Sequence, residues 1–275
     1  MKLKITTLDE NTASYGYLAE WGLSFYIEFA GRKILFDAGM SSITVENARQ
    51  AKIDLSLIDT IVLSHGHSDH TGGLPNLLKC IGEVPVVAHP DIWTQKYVLE
   101  NTGKHDFCGI PFRPEELESR GARFHLSREP YKVTDNMYTT GEVVITNNYE
   151  QIDSDLFVKV GENYQTDPMN DDQSLVIRTD QGLVIITGCA HRGIVNTIYH
   201  AQEMTSEEHI YAVIGGFHLY QASEDRIDKT IRALTCLDVQ KVAPCHCTGF
   251  YAMSRIVNAM PNRYQNIATG AVIEI

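Results

Sequence analysis

Short apolar segments separated by turn residues run through the chain and predict β-strands, which later alternate with amphipathic helices. Strands are predicted at 2–8, 23–29, 33–39, 60–64, 84–90, 174–179, 182–187, 209–216 and 239–244, and helices at 44–53, 72–81, 113–121, 192–204, 225–237 and 251–260. Further short strands are expected in the middle of the chain. This order predicts an α/β fold of mixed sheets with helices on their outer faces. No repeat or linker interrupts the sequence, so a single domain is expected over 1–275.

The composition is typical of a globular chain, since 43% of the 275 residues are hydrophobic and can form a core. Acidic residues outnumber basic ones, and the formal net charge is −12. An acidic surface argues against non-specific binding to nucleic acid or to an anionic membrane. It remains compatible with a small anionic substrate, because the local charge of a cleft can oppose the global sign. No pattern in the sequence indicates the oligomeric state.

The six cysteines are scattered along the chain instead of being spaced as a disulfide framework. The first residues include two lysines but lack the apolar run of a secretory signal. No apolar stretch reaches the roughly 18 residues that a membrane span requires. We therefore expect a cytoplasmic protein with reduced cysteines, some of which are available as metal ligands.

Residues 64–73, SHGHSDHTGG, follow a predicted apolar strand and concentrate the titratable groups of the chain. His65 and His67 are two residues apart, so in an extended chain both imidazoles point to one side and reach one ion. Asp69 and His70 follow at the turn into a helix and point elsewhere, which lets one loop supply ligands to two neighbouring ions. Imidazole nitrogen and carboxylate oxygen suit zinc and several other divalent ions.

The spacing His65-x-His67-x-Asp69-His70 resembles the signature of the metallo-β-lactamase fold superfamily. Blocks at 22–39, 63–74, 171–196, 213–219 and 244–250 extend this resemblance over nearly the whole chain. Together they resemble a subgroup of metal-dependent hydrolases related to the dihydropterin–ribofuranosylaminobenzene phosphate synthase of methanopterin biosynthesis. The resemblance implies a four-layer αββα sandwich with two divalent ions at one edge, between the two sheets. It also implies that Asp37 braces the ligand loop from behind.

Members of the superfamily complete the coordination with a histidine, a bridging aspartate and a last histidine. His246 matches the last histidine, because it follows a predicted strand and precedes a helix. Cys189 stands where the bridging aspartate is expected, and it is either a thiolate ligand or a small buried residue. His191, two residues further on, is expected to be a ligand.

Several other residues near these blocks have two possible roles. Asp171 and Asp172 either coordinate an ion or begin the next strand as turn residues. His218 ends an apolar strand and is either a proton donor that faces the substrate or a ligand. Cys245 and Cys247 flank the last histidine, and if that histidine points inward from extended chain, both cysteines point away from it and pack in the interior.

Arg192 and Gly193 stand at the predicted start of the helix at 192–204. Free backbone N–H groups and the helix dipole favour anions at such a start, and the guanidinium adds a fixed charge. We therefore expect an anion-binding site there, which would suit a phosphorylated substrate.

Bound divalent ions lower the pKa of water toward neutrality, and this favours hydrolysis of an ester, lactone, phosphodiester or sulfate ester. Asp69 would ligate one ion and steer the water. The first hypothesis is therefore a metal-dependent hydrolase of an anionic small molecule, with zinc as the expected ion and iron or manganese as alternatives. A pterin-type transferase that releases diphosphate, implied by the resemblance, is the second. A non-catalytic metal or redox protein, suggested by Cys189, is the third.

Overall fold

A computed structural model describes residues 2–275 of the protein. The strands are β1 (Leu3–Asp9), β2 (Ser24–Phe29), β3 (Arg32–Phe36), β4 (Thr60–Val62), β5 (Val84–Ala88), β6 (Lys96–Leu99), β7 (His105–Phe107), β8 (Ala122–Leu126), β9 (Lys132–Thr134), β10 (Met137–Thr139), β11 (Leu156–Val160), β12 (Asn163–Thr166), β13 (Ser174–Thr179), β14 (Gly182–Thr187), β15 (Ile210–Gly216), β16 (Lys241–Cys245) and β17 (Val272–Glu274). The α-helices are α1 (Ile43–Gln50), α2 (Ser68–Thr71), α3 (Leu74–Ile81), α4 (Pro114–Ser119), α5 (Ile194–Thr205), α6 (Glu224–Cys236) and α7 (Phe250–Ala259). Among the described residues, no helix combines the length and apolar character needed to cross a membrane.

Two large sheets form the centre of the molecule. The seven-stranded sheet has the order β17-β1-β2-β3-β4-β5-β8, antiparallel from β17 to β3 and parallel from β3 to β8. The six-stranded sheet has the order β16-β15-β14-β13-β10-β9, parallel among β14, β15 and β16 and antiparallel elsewhere. Both sheets are mixed, as the order of predicted strands and helices indicates.

Both faces of each large sheet are buried, because alternate side chains of a strand enter different layers. On β3, Ile34 and Phe36 join the apolar cluster between the sheets, whereas Leu35 joins the cluster under the helices. The cluster between the sheets also contains Ile27 of β2 and Ile186 of β14. The outer clusters include residues of α1 and α3 on one side (Val45, Leu74, Leu77) and of α5, α6 and α7 on the other (Ile194, Ile198, Ile227, Leu234, Ile256). The fold is the αββα sandwich implied by the resemblance.

A small sheet of four strands, β12-β11-β6-β7, is not predicted by the sequence pattern. Its strands are three to five residues long, and β12 is exposed along its whole length, so the pattern is too short and too weak to predict the sheet. Lys96 of β6 attaches this sheet to the sandwich. Its buried Nζ lies 2.7 Å from Asp167 Oδ2 and 2.8 Å from Asp171 Oδ1.

Strands of both large sheets end at the same edge of the sandwich. β4 ends just before the histidine loop at 65–70, β14 ends two residues before Cys189, and β16 ends directly before His246. The ends of strands from both sheets therefore bring distant parts of the chain to one place.

Candidate metal centre

Asp37 holds the loop that carries the first histidines. Its Oδ1 accepts a hydrogen bond from the backbone N–H of Ser64 at 2.7 Å, and its Oδ2 accepts one from Ser64 Oγ at 2.7 Å. Gly188 packs against this pair, and a Cβ there would meet Ser64 Oγ at 2.1 Å. The arrangement is that of a brace behind the ligand loop, where the resemblance to the superfamily implies one.

Hydrogen bonds determine which ring nitrogen of each histidine faces the centre. Because Ser64 Oγ donates to Asp37, His65 Nδ1 at 2.9 Å acts as the donor to Ser64 and leaves Nε2 with a free lone pair. The same reasoning applies to His70, whose Nδ1 donates to Asp37 Oδ2 at 2.7 Å. It applies again to His246, whose Nδ1 donates to Asn11 Oδ1 at 2.9 Å.

Three imidazoles form a first group of ligand atoms. His65 Nε2 lies 3.0 Å from His67 Nδ1 and 3.3 Å from His191 Nε2. Nitrogens bound to one tetrahedral zinc at about 2.0–2.1 Å are separated by roughly 3.3 Å. The spacing of these nitrogens therefore fits a shared ion.

A second group lies beside the first. Asp69 Oδ2 lies 3.3 Å from His246 Nε2 and 3.7 Å from His70 Nε2. Cys189 Sγ lies 3.2 Å from His70 Nε2. The pairs His65 with His191 and His70 with His246 each place their ligand atoms within 4.8 Å of Cys189 Sγ. Cys189 therefore lies between the two groups, in the place of the expected bridging aspartate.

The buried polar atoms of this centre fit bound cations. His65 Nε2, His67 Nδ1 and His191 Nε2 face one another, and the buried His246 Nε2 has no hydrogen-bond partner and faces Asp69. Burial lowers the pKa of His65 and His191, with further lowering from neighbouring histidines, and lowers that of His67 to about 3, so these rings are neutral and can ligate. Such a cluster of converging lone pairs is costly unless a cation satisfies it.

The pKa values of Asp69, His70 and Cys189 are also shifted by burial and by neighbouring charges. Burial alone would raise the pKa of Asp69, but His70 and His246 outweigh it and lower that pKa. Burial would lower the pKa of His70, but Asp69 and Asp37 raise it to about 9, so a cation bound at its Nε2 would take the place of a proton. Burial raises the pKa of the Cys189 thiol, so a bound cation would be needed to hold it as a thiolate.

Asp171 and Asp172 do not join either ligand group. Asp171 Oδ2 accepts from the backbone N–H of Gly66 at 2.8 Å, and its Oδ1 pairs with Lys96. Asp172 Oδ2 accepts from the backbone N–H of Arg192 at 2.9 Å. These carboxylates support the loops around the centre, and neither belongs to a group of converging ligand atoms.

The expected anion site at Arg192 and Gly193 is not open. The Arg192 guanidinium donates to the backbone carbonyls of Val143 and Pro168, at 2.6 and 2.7 Å. At the start of α5, the buried Glu150 carboxylate accepts from two backbone N–H groups, and a Cβ at Gly193 would clash with it. The protein's own carboxylate therefore fills the position predicted for a substrate anion.

His218 lies at the edge of the centre, with its ring centroid 4.0 Å from that of His191. Its Nε2 lies 2.6 Å from Asp153 Oδ2. Burial alone would lower the pKa of His218, but Asp153 and Cys247 outweigh it and raise that pKa to about 10. No sequence motif marks Asp153, which is 65 residues away from its partner.

The prediction that Cys247 packs away from the centre is wrong. His246 has a φ of 50° and begins a 3-10 helix (His246–Thr248), so the chain is not extended there. Cys247 consequently lines the same cavity as Cys189 and His218. Cys245, by contrast, belongs to the apolar cluster between the sheets, as expected.

The ligand groups open on a cavity of about 270 Å³. Its remaining wall is largely apolar and includes Trp21, Met40, Val98 and Leu156, and no lysine or arginine lines it. Two of these residues, Val98 and Leu156, come from the small sheet. A larger cavity of about 560 Å³ beside α7 contains no histidine, so the chemistry belongs to the smaller one.

Comparison with known proteins identifies the family of this chain. Residues 22–136 match the family described as the metallo-beta-lactamase superfamily. The chain is 35% identical to the 7,8-dihydropterin-6-methyl-4-(beta-D-ribofuranosyl)-aminobenzene-5'-phosphate synthase of Methanocaldococcus jannaschii, over 99% of this chain and 96% of that protein. It is 31% identical to Tm1679, described as a metal-dependent hydrolase of the beta-lactamase superfamily, with a TM-score of 0.85 and 99% of each chain covered. YhfI of Bacillus subtilis shares the fold, at 13% identity, with a TM-score of 0.61 and 100% of each chain covered.

Proposed function

Because this chain belongs to the metallo-beta-lactamase superfamily, we propose that it is a metal-dependent hydrolase of a small anionic molecule such as a phosphate ester. The observation that carries this proposal is the pair of ligand groups that converge on Cys189 at the base of a single cavity. The similarity to Tm1679, described as a metal-dependent hydrolase, supports the reaction class.

Two divalent ions, with zinc as the first expectation, would be held by His65, His67 and His191 on one side and by Asp69, His70 and His246 on the other. When bound, such ions supply an activated water and neutralise the negative charge that develops on the substrate. Cys189 would connect the two groups.

The chain's own residues hold the ligand side chains in place and exclude water from the cavity. Asp37 fixes the orientation of His70 and of the ligand loop, so the site does not have to be ordered when substrate binds. The apolar wall made by Trp21, Val98 and Leu156 limits access of bulk water to the cavity.

The cavity also restricts the substrate. Without lysine or arginine in its lining, the anionic group of a substrate has to face the bound cations, and the remainder has to fit the apolar wall. A volume of about 270 Å³ accommodates a small molecule beside the bound cations.

The test is hydrolysis of chromogenic phosphodiesters and lactones by metal-loaded protein, together with elemental analysis. We expect turnover by the wild type, and loss of metal and of turnover in His67→Ala. The matched control is His125→Ala, because His125 is exposed and outside both ligand groups. Unchanged metal content in His67→Ala would refute the ligand assignment.

A pterin-type transferase is the second candidate, favoured by the 35% identity to the synthase over nearly the whole chain. Incubation with a pterin pyrophosphate and the ribosyl aryl phosphate should then release diphosphate only when both are present. Diphosphate release that requires both substrates, without cleavage of the simple esters, would replace the hydrolase proposal. Metal binding without turnover in any of these assays would favour the non-catalytic alternative.

A further inference from the structure

A third set of ligand-type side chains lies on the other side of Cys189. Cys189, His218 and Cys247 place one ligand atom each within 4.8 Å of the others. Only Cys189 belongs also to the histidine and aspartate groups described above. Cys189 and Cys247 are both nearly inaccessible, with 3% and 4% of their surface exposed, so water does not compete for their sulfur atoms.

His218 is oriented as metal-bound histidines are. Its Nε2 donates to Asp153 at 2.6 Å, so the lone pair that a cation would take after displacing a proton is that of Nδ1. That Nδ1 is buried and has no hydrogen-bond partner. A carboxylate that holds the outer nitrogen of a histidine is the usual support of a ligand, because it fixes the tautomer and the ring orientation.

The backbone around Cys247 leaves room for its sulfur at this place. The turn at His246 directs Cys247 into the cavity, and the backbone N–H of Phe217 donates to Thr248 Oγ1 at 3.0 Å to hold that turn. Gly216 faces the sulfur, and a Cβ there would meet Cys247 Sγ at 2.6 Å and Cys189 Cα at 3.1 Å. Glycine at this position therefore permits the two cysteines to approach each other.

The donor atoms of this set differ from those of the other two groups. Two sulfurs and one nitrogen form a softer set than imidazoles with one carboxylate, and thiolate-rich sets select zinc and other thiophilic ions. We propose that Cys189, His218 and Cys247 form a further metal-binding site for a thiophilic ion such as Zn²⁺, which shares the Cys189 sulfur with the histidine centre. This site does not depend on the reaction proposed above. Metal binding here releases the Cys189 thiol proton and the proton that His218 holds beside Cys247, so that both sulfurs and His218 Nδ1 bind the ion.

The site is tested by titrating reduced, metal-free protein with Co²⁺ under anaerobic conditions and following sulfur-to-metal charge-transfer absorbance together with elemental analysis. We expect Cys247→Ser to lose one equivalent of metal and about half of the charge-transfer intensity, since it removes one of two thiolate ligands. Cys245→Ser is the matched control, because Cys245 is equally buried but lies in the core between the sheets. It should retain the spectrum and stoichiometry of the wild type.

Further variants keep the test decisive. His218→Gln should lose the same equivalent of metal while keeping part of the charge-transfer band, and it provides the answer if Cys247→Ser does not fold by circular dichroism. His67→Ala should lose metal from the histidine centre but keep the band that depends on Cys247, which separates the two sites. Wild-type intensity and stoichiometry in both Cys247→Ser and His218→Gln would overturn the proposal, and would leave these two residues as a thiol–imidazole pair.

Discussion

Three histidines of the centre each make one hydrogen bond that decides what the other ring nitrogen can do. Ser64, Asp37 and Asn11 accept from the Nδ1 atoms of three of these rings and leave the Nε2 atoms free to ligate. Asn11 is 235 residues away in sequence from the histidine that it orients. The tautomer of each of these three rings is therefore determined by a residue outside the His65-x-His67-x-Asp69-His70 motif.

Asp9, at the end of β1, gives a testable pH dependence of stability. It is fully buried, and burial together with the neighbouring Glu20 carboxylate raises its pKa from 3.8 to about 9. Between these two pH values the folded protein keeps a proton on Asp9 that the unfolded chain releases. The free energy of unfolding should therefore fall as the pH rises from about 4 to about 9. The slope is at most about 1.4 kcal/mol per pH unit.

We expect Asp9→Asn, which cannot ionise, to flatten this slope in urea unfolding measured between pH 5 and pH 8. The variant should gain stability relative to wild type more at pH 8 than at pH 5. Asp135→Asn is the control, because Asp135 is exposed. An Asp9→Asn slope equal to that of the wild type would contradict the assignment.

Between elements, the ligand loop is supported from outside by the small sheet. Lys96 of β6 pairs with Asp167 and Asp171, and Asp171 also accepts from the backbone N–H of Gly66, between the two histidines of the loop. The sheet that the sequence pattern fails to predict is thus connected to the centre through one buried ion cluster. Partners of this kind affect metal binding without touching the metal.

Asp171→Asn tests this connection. The substitution weakens the bonds to Lys96 and Gly66, and we expect the metal affinity to fall by about 10–100-fold, as measured by competition with a chelator. Asp167→Asn is matched to it, because Asp167 pairs with the same lysine but does not contact Gly66. Equal losses of affinity in the two variants would mean that the ion cluster acts only through stability.

The start of α5 shows how neighbouring elements can change the meaning of a motif. Glycine and arginine at a helix start favour an anion, and the structure does place a carboxylate there. That carboxylate belongs to Glu150, which accepts from the backbone N–H groups of Val195 and Asn196 at 2.9 and 2.8 Å. The anion at this helix start is therefore a side chain of the protein and not the substrate group that the motif predicts.

For the molecule as a whole, bound metal should contribute to stability, because the ligands come from both sheets and from loops far apart in sequence. A ligand that binds only the folded state stabilises it by about 2.7 kcal/mol at 100 times its dissociation constant. We expect Tm to fall when a chelator removes the metal and to recover when zinc is added back. His67→Ala should show a smaller fall, and a wild-type Tm that does not respond to chelation would contradict a joint centre.

Much of the architecture follows from patterns that span a few residues. Apolar segments identify β1 to β5 and β13 to β16 of the two large sheets, and the spacing of His65, His67, Asp69 and His70 identifies the histidine loop. The small sheet escapes prediction because its strands are only three to five residues long and β12 is exposed throughout. The positions of Cys247 and Asp153 escape because they depend on a turn with positive φ at His246 and on a contact between His218 and the loop before β11.

The sequence by itself determined a fold of mixed sheets with outer helices and the histidine loop, because periodicity and close spacing are properties of neighbouring residues; the αββα sandwich is what the resemblance of its motifs implies. Only the tertiary structure decided that Asp171 supports the loop, that Arg192 is engaged with backbone carbonyls, and that Cys247 lies beside Cys189. The physical reason is that these roles arise from contacts between residues tens to more than a hundred positions apart. Such contacts exist only once both sheets have brought their strand ends to one edge.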